Sequence, residues 1–437
     1  MLPQDIEKKK YYIAGYSENN PAAGVIDPQY VCALWLDDRS GYGGRLFLSF
    51  DAVGILSSDA QRIRDKLSDF RSKTGCREIY VFSTHNHAGI DTMGLWGPLP
   101  RTGRDAAFMK LLFNGAREAA ESAYEDRRQG RLFYGRAEVP DMQEDIRTPE
   151  VYSKFLTRFR FVPDDSSREI WLLNFASHSE SLQGCNHLVS ADFPCYLREH
   201  IRETTGAETV YTVGAIGGMI SMLIENEDLL RREHRLLEST RSIGRRLAEF
   251  AINITEEREL APTVCSVTQE FYVPVDNPML TLAGLLSIID VERYFVPRPA
   301  VKTRLSYLEL GGIPLLFLPC ELFPELAYGG CLSAEASATG KGPEINPPSL
   351  LEITGSPDTV IFGLADDELG YVIPPNDFYL HPDKPYLDKG IDRHNRRHYE
   401  ETNSAGPDTA FAIAEALQKV MRNVDIAKQK NKENNDA

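Results

Sequence analysis

The chain lacks the features that mark secreted, membrane-spanning and nucleic-acid-binding proteins. It has no apolar run near the roughly 20 residues that a bilayer span needs, and its N-terminus, Met1 to Lys10, is polar. We therefore expect neither a signal peptide nor a membrane span. Basic residues are outnumbered, 48 against 64, which gives a formal charge of −16. Because such a surface repels phosphate backbones and anionic lipids, the sequence argues against nucleic-acid and acidic-membrane partners. The plain alternative is that the negative charge only keeps the protein soluble.

Signals for cysteine pairing are also missing. The seven cysteines are scattered and form no Cys-x-x-Cys pair, which argues against a disulfide framework and for a reducing compartment. From the cysteines we therefore expect a cytoplasmic protein, and the sequence leaves its oligomeric state open.

Two common catalytic motifs are absent from the sequence as well. The chain has no His-Glu-x-x-His helix of a zincin protease and no glycine-rich phosphate loop.

Helical and strand patterns alternate along the chain, which predicts a layered α/β domain whose strand order the sequence does not give. We expect one domain over 1–425 and a polar, disordered tail over 426–437. An apolar stretch, 278–289, suits either a core helix or an acyl pocket. Helices are predicted near 57–71, 105–127, 193–203, 227–259 with a break near Gly244, and 407–424. Strands are predicted near 77–83, 169–176, 208–213, 313–318 and 359–363.

Two histidines one residue apart follow a strand-like apolar run. The run Val81-Phe82-Ser83-Thr84 leads into His85-Asn86-His87. In an extended segment, side chains at i and i+2 point to the same side, so both imidazoles could serve one site. Histidine is the commonest metal ligand, and a strand that ends in a loop can hold such rings rigidly. Two ordinary loop histidines are the plain alternative.

Three further segments carry candidate ligands. His178 ends the apolar strand that contains Asn174-Phe175, and Glu321 follows a buried strand and a proline. Tyr371 ends a polar loop in Gly370-Tyr371-Val372. Strand ends in α/β folds tend to converge on one site. Taken singly, however, Glu321 could be a helix N-terminal charge and Tyr371 a packing residue.

Taken in order, these segments resemble the neutral, non-lysosomal ceramidases, a family of zinc-dependent amidases, over about residues 12–414. The match covers Ser83 to Gly89, Phe175 to His178, Pro319-Cys320-Glu321, Gly370-Tyr371-Val372 and Tyr399 to Thr409. The resemblance implies four Zn²⁺ ligands: His85, His178, Glu321 and Tyr371. It also implies that His87 faces the substrate carbonyl and that Tyr399 contacts the substrate. A looser match places Arg147 where the family has the arginine of an Asn-x-Asn-Arg segment. Gly15 and Asp51 fall where the family has its first strands.

One loop departs from the family pattern. The family has a serine that is central to amide cleavage, and Gly217 falls at that position, with Ala215 in place of an aspartate. Ser221, four residues later, is not an obvious substitute. Glycine has no side chain to act as a nucleophile, although the Gly217 N–H could donate to a developing oxyanion. A tight turn is the plain alternative. We expect no counterpart of the C-terminal immunoglobulin-like domain that longer members of the family carry.

The chemistry that survives this departure is centred on the metal. Zinc lowers the pKa of a bound water toward about 7, so attack on an amide or ester carbonyl needs no serine. Asp91 and Glu180 are nearby candidates for a general base or an orienting group, and solvated loop acids are the plain alternative. We therefore expect a zinc hydrolase that acts on a small or lipid-like amide, not necessarily a sphingolipid. A non-catalytic relative that binds a metal or small ligand, and a zinc lyase or isomerase, are the alternatives.

Two other interpretations fit the histidines less well. The metallo-β-lactamase pattern His-x-His-x-Asp-His is not met, because Gly89 and Ile90 fall where its aspartate and last histidine would stand. His187, close to His178 in the chain, could be a stray ligand, but a surface position suits it better.

Overall fold

The computed structural model describes residues 1–224, 233–295 and 298–435. Helices and strands alternate through these ranges, and most strands belong to small mixed sheets. The predicted α/β class is therefore confirmed. Within the described residues no helix is both long and apolar enough to cross a membrane. The helices are α1 (Ser57–Lys66), α2 (Ser68–Thr74), α3 (Ala106–Glu125), α4 (Phe193–Thr205), α5 (Glu233–Ile252), α6 (Pro278–Leu285), α7 (Pro324–Tyr328), α8 (Leu350–Thr354) and α9 (Thr409–Asn435).

The strands range from two to twelve residues, and many were not evident from the sequence. Their bounds are β1 (Gly24–Val25), β2 (Val31–Leu36), β3 (Arg45–Phe50), β4 (Glu78–Ser83), β5 (Gly130–Glu138), β6 (Gln143–Asp145), β7 (Phe155–Pro163), β8 (Ile170–Phe175), β9 (Leu188–Val189), β10 (Glu208–Val213), β11 (Ile220–Met222), β12 (Glu257–Glu259), β13 (Val264–Pro274), β14 (Arg293–Phe295), β15 (Pro299–Leu310), β16 (Ile313–Phe317), β17 (Glu321–Leu322), β18 (Val360–Phe362), β19 (Tyr371–Val372), β20 (Gly390–Ile391) and β21 (Arg397–His398).

Three larger sheets organise the described part of the chain. One has the order β2-β3-β4, a second β10-β8-β7-β5-β12, and a third β13-β15-β16-β18 with β14 added to β15. The pairs β3/β4, β8/β10 and β16/β18 are parallel, whereas the remaining pairs in these sheets are antiparallel. The carboxyl ends of β4 and β8 lie together, because Asn86 and Ser179 form a parallel bridge just beyond them. This arrangement brings the two histidine loops to one place.

An aromatic core joins the sheets behind that place. Phe47, Phe82, Phe317 and Phe362 come from β3, β4, β16 and β18 and are almost fully buried. The ring centroids of Phe82 and Phe317 are 5.1 Å apart, and those of Phe317 and Phe362 are also 5.1 Å apart, in edge-to-face contacts. Such rings bury large apolar areas and favour this geometry. The core therefore fixes the strands from which the candidate ligands extend.

Several helix predictions need correction. The helix expected over 57–71 is interrupted at Leu67, whose φ of −93° and ψ of 11° separate α1 from α2. The expected break near Gly244 does not occur. A Cβ at Gly244 would lie 2.6 Å from the Phe193 carbonyl oxygen and 2.8 Å from Tyr196 Cβ, so glycine allows α5 to pack closely on α4. The start expected near residue 227 lies outside the described residues.

Two other segments differ from expectation. The stretch 278–289 forms the short helix α6 and a following turn, and four of its apolar side chains are at least 41% exposed: Met279, Leu282, Leu285 and Leu286. The core-helix interpretation is therefore wrong. The last helix, α9, continues past the predicted end near residue 424 and includes the segment expected to be a disordered tail as far as Asn435.

Candidate metal centre

The loop after β4 presents His85. His85 is almost fully buried and has a φ of +55°, so its backbone is left-handed rather than extended. Its Nδ1 lies 2.7 Å from the Val53 carbonyl oxygen. A carbonyl accepts only from a protonated ring nitrogen, which leaves the Nε2 lone pair of the neutral ring free for a ligand. The i, i+2 argument for two same-sided histidines therefore fails locally, although the His85 and His87 rings still come within 4.7 Å.

The loop after β8 presents His178 in the same manner. His178 is fully buried, and its Nδ1 lies 2.8 Å from the Ile220 carbonyl oxygen. The two histidine loops are tied together, since the His87 N–H donates to the Ser179 carbonyl at 2.9 Å. The rings of His85 and His178 lie 4.7 Å apart between centroids. Two imidazoles from separate sheets thus share one buried point with their Nε2 atoms available.

Glu321 completes a group of three converging donors. Its Oε2 lies 3.0 Å from His178 Nε2 and 3.3 Å from His85 Nε2. Burial alone would lower the pKa of His178, but the contact with Glu321 and the charges of Glu180 and Glu321 raise it to about 8. Burial would raise the pKa of Glu321, but the two histidines hold it below its usual range. Three electron pairs that meet this closely repel one another unless a proton or a metal cation lies between them.

The donor set fits zinc. In a tetrahedral site with metal–ligand distances of about 2.0–2.1 Å, neighbouring donors are about 3.3–3.4 Å apart. The 3.0 and 3.3 Å separations from Glu321 are close to that edge length. A donor atom from each of His85, His87 and His178 also lies within 4.8 Å of the others, so these three residues could hold an ion together. Carbonyl-held histidines are the usual support for zinc ligands.

His87 lies beside this group and is constrained differently. A Cβ at Gly15, which has a φ of +105°, would lie 2.4 Å from His87 Cγ, so glycine is required at that position. Both ring nitrogens of His87 are buried without a hydrogen bond to a described residue. Its Nδ1 is 3.2 Å from Glu180 Oε2, which is close but not aligned for a hydrogen bond. Burial lowers the pKa of His87, so a neutral ring faces the centre at neutral pH.

Glu180 links His87 to two hydroxyl groups. It is buried, and it accepts a hydrogen bond from the Tyr16 hydroxyl at 2.8 Å and a second, very short one from Ser221. Burial would raise the pKa of Glu180, but His87 and His178 hold it below its usual range. The sequence had ranked Glu180 as a solvated loop acid and Ser221 as an unlikely substitute for the family's serine. The structure places both at the edge of the donor group.

Two tyrosines from later segments of the chain, Tyr371 and Tyr399, were also predicted to belong to the site. Strand pairing sets Tyr371 directly beside Glu321, and Tyr371 is buried with its hydroxyl 2.9 Å from the Met219 sulfur. Burial and the charge of Glu321 raise the pKa of Tyr371 well above its usual range. The Tyr399 ring centroid is 6.4 Å from that of Tyr371, and 38% of Tyr399 is exposed. Tyr371 is thus adjacent to the donors, whereas Tyr399 borders solvent.

Gly217 has a structural role. Its N–H donates to the Leu322 carbonyl at 2.9 Å, so it is not free to bind an oxyanion in this arrangement. A Cβ at Gly217 would lie 2.4 Å from the Phe323 backbone nitrogen. Serine at this position would therefore displace the strand that carries Glu321. Ala215, at the family's aspartate position, is buried in the core.

The remaining candidates lie further from the donors. Arg147 is bound in a network with Glu400 and, at 3.8 Å, Asp377. Asp91 accepts three backbone N–H bonds of 2.7–3.0 Å from its own loop, so it organises that loop. His187 is exposed and bonds Asn20, as expected of a surface histidine.

Sequence reasoning missed Tyr16 and Met219. Tyr16 makes an edge contact with the His87 ring, with centroids 5.3 Å apart, besides its bond to Glu180. The dipeptide Gly15-Tyr16 was a weak signal for Tyr16. Gly15 leaves room for the His87 ring, and the residue next to it in the chain therefore lies close to the same ring. Met219 lies in the turn after Gly218 and has a φ of +64°. No sequence pattern predicted this conformation.

Comparison with solved structures identifies two similar folds. One is the neutral ceramidase from Pseudomonas aeruginosa, with a TM-score of 0.71, 17% identity, and coverage of 94% of this chain and 71% of that chain. The other is a ceramidase complexed with C2, with a TM-score of 0.68, 16% identity, and coverage of 94% and 72%. No family model and no curated protein matches the sequence. At these identities the likeness establishes a ceramidase-like fold.

Proposed function

We propose that the chain is a zinc-dependent hydrolase that cleaves an amide or ester bond with a zinc-activated water. The observation that carries this proposal is the convergence of Glu321 Oε2 on the Nε2 atoms of His85 and His178, at 3.3 and 3.0 Å. A backbone carbonyl lies within hydrogen-bond distance of Nδ1 in both histidines, which directs their Nε2 atoms toward Glu321, as a shared metal would need. The ceramidase-like fold supports the same reaction class, with a linear, lipid-like amide as the substrate class.

The residues around the donors have separable roles in this proposal. His85, His178 and Glu321 hold zinc, and Tyr371 is the fourth ligand once its hydroxyl turns from Met219. When bound, zinc lowers the pKa of a water so that it attacks at neutral pH. His87, whose ring nitrogens have no hydrogen bond to a described residue, binds the substrate carbonyl or its oxyanion in this proposal. Tyr399 contacts the substrate from the solvent side.

The proposed reaction uses no serine nucleophile. Gly217 offers no side chain and its N–H is occupied, while the Ser221 hydroxyl already donates to Glu180. Glu180 itself orients His87 through their 3.2 Å contact. Water is therefore the nucleophile that this arrangement favours. No disulfide joins any of the seven cysteines, all of which lie in the described ranges, and this supports a reducing, cytoplasmic setting.

The test compares two histidine substitutions in the full chain. His85→Ala should lose bound zinc and hydrolysis together over a panel of N-acyl amides and esters. His187→Ala, which removes an exposed histidine bonded to Asn20, is the matched control and should keep both. Elemental analysis measures zinc, and mass spectrometry of the products checks that one water has been added.

Each contrary result points to a different alternative. Zinc bound by the wild type without turnover of any amide or ester would favour the non-catalytic relative. Products whose summed mass equals that of the substrate would favour a lyase or isomerase. A His85→Ala variant that keeps both zinc and activity would overturn the assignment of the centre.

A further inference from the structure

An open cavity of about 340 Å³ borders the candidate metal centre on the side of Tyr399. Its wall comes from the segment after β6, from Met219, and from the hairpin of β20 and β21. Among the described residues that line it, cationic side chains predominate over acidic ones. The lining residues used below are Arg147, Met219, Lys389, Arg396, Arg397 and Tyr399.

Two of the cations have no carboxylate partner. Arg147 is balanced by Glu400, and Arg396 is balanced by Asp377 and Asp392. Lys389 and Arg397 are exposed, and within the described ranges neither forms an ion pair. Lys389 instead lies 5.2 Å from the ring centroid of Tyr399.

The basic side chains around this cavity outnumber the carboxylates that pair with them. His398, also in the wall, is held between Glu401 at 2.6 Å and Asp392 at 3.3 Å. Four carboxylates, Asp377, Asp392, Glu400 and Glu401, thus pair with three bases, and Lys389 and Arg397 turn this balance into an excess of one positive charge. A positive excess is notable in a chain with a formal charge of −16. Clefts lined by one sign of charge concentrate ligands of the opposite sign.

The cavity and the centre share a wall. Met219 lines the cavity, and its sulfur lies 2.9 Å from the Tyr371 hydroxyl. Tyr399 also lines the cavity, and its ring faces Tyr371 at 6.4 Å. Methionine is flexible, so a substrate that displaces the Met219 side chain would reach from the cavity to the donors.

We propose that the substrate is an anionic amide or ester, whose carboxylate or phosphate end binds Lys389 and Arg397 while its scissile carbonyl lies at the metal centre. This substrate class rests on the proposed hydrolase function. A neutral amide of similar shape would leave both cations without a partner. Lys389 would supply a point charge, whereas Arg397 would supply a planar pair of donors suited to an oxyanion.

The test compares two probes of nearly equal shape, one of which is anionic and the other neutral. N-octanoylglycine carries a carboxylate, and N-octanoylglycinamide replaces it with a neutral amide. Calorimetric binding and kcat/KM are measured for both with the full chain loaded with zinc. We expect a preference of about tenfold or more for the anionic probe, which falls as salt is raised. N-octanoyl-aminoethyl phosphate then distinguishes a phosphate from a carboxylate preference.

Charge-reversal variants locate the effect. In the double variant Lys389→Glu, Arg397→Glu the ratio of anionic to neutral kcat/KM, or of the two affinities, should fall by about tenfold or more. Lys419→Glu is the control, because it reverses an exposed charge on α9 that does not line the cavity. It should leave the ratio within about twofold of the wild type.

The outcomes separate this inference from the proposed function. Anionic preference in binding, lost in the double variant but without turnover, would sustain the anion site and overturn the hydrolase. Hydrolysis of both probes with equal kcat/KM would sustain the hydrolase and overturn the anion site. A preference that survives in the double variant would also overturn the assignment to Lys389 and Arg397.

Discussion

His85 and His178 are buried and each is held by a backbone carbonyl, whereas Lys389 and Arg397 line an open cavity and have no carboxylate partner among the described residues. The metal-donor side of the site, His85, His178 and Glu321, is built at strand ends. There, contacts with main-chain carbonyls hold each imidazole ring in one orientation. The cavity side is built on a surface hairpin from side chains with rotational freedom. Substitutions among the donors should therefore act in an all-or-none manner. Substitutions in the cavity should grade affinity and selectivity, because exposed charges contribute little each.

The largest effect is expected from Glu321→Gln. The amide offers a weaker, uncharged oxygen to the metal and a donor group toward two imidazoles, so zinc affinity should fall by about a hundredfold or more. Hydrolysis should fall with it. Equilibrium dialysis against buffered zinc measures the affinity. Glu335→Gln, at an exposed position, is the control, and equal zinc affinity in both variants would mean that Glu321 is not a ligand.

A buried acid near Arg147 should make stability depend on pH. Burial raises the pKa of Glu325 from 4.5 to about 8. Between these values the folded chain binds a proton that the unfolded chain releases, so the free energy of unfolding falls as pH rises from about 4.5 to 8. Glu325→Gln removes this loss and should stabilise the protein at pH 8.5 by on the order of 4 kcal/mol.

Thermal or denaturant unfolding at pH 5 and pH 8.5 checks this expectation. At pH 5 the glutamine variant and the wild type should be nearly equal, because Glu325 is then protonated in the folded chain. A variant that is destabilised at pH 8.5 would show that the Glu325 carboxylate is charged and useful in the fold.

A smaller effect is expected where the chain departs from the family's serine. Gly217→Ser should destabilise the protein by roughly 2–3 kcal/mol, because its Cβ would press on the Phe323 backbone at 2.4 Å. It should not raise hydrolysis. Gly115→Ser, within α3, is the control. Its Cβ would meet the side chains of Val31 at 3.3 Å and Met1 at 3.5 Å but no backbone atom within that distance, so the change should stay within about 1 kcal/mol. A stable and more active Gly217→Ser variant would contradict this account of the turn.

Much of the donor side could be predicted from the sequence. Apolar runs that end in His85, in His178 and just before Glu321 indicate strands and their ends, and all three residues do converge. The predicted strand 208–213 coincides with β10. These features are local. An apolar run indicates a buried strand, and the residues that end the run indicate where the following loop begins.

The other side could not be predicted in this way. Glu180 meets Tyr16 and Ser221 only through contacts between distant segments, and the engagement of the Gly217 N–H depends on β17 lying beside the turn. The left-handed backbone of His85 is likewise not indicated by any local sequence pattern. The Lys389 and Arg397 charges carry no periodic pattern. Their surplus emerges only once the ion pairs of their neighbours are known.

X-ray absorption at the zinc K-edge, on the zinc-loaded full chain, tests the metal centre most directly. The account predicts nitrogen and oxygen neighbours at about 2.0–2.1 Å, with the scattering of two imidazoles and no sulfur. In His85→Ala the imidazole contribution should fall or zinc should be absent. A sulfur neighbour at about 2.3 Å, or a wild-type chain that takes up no zinc at all, would contradict the His85–His178–Glu321 centre.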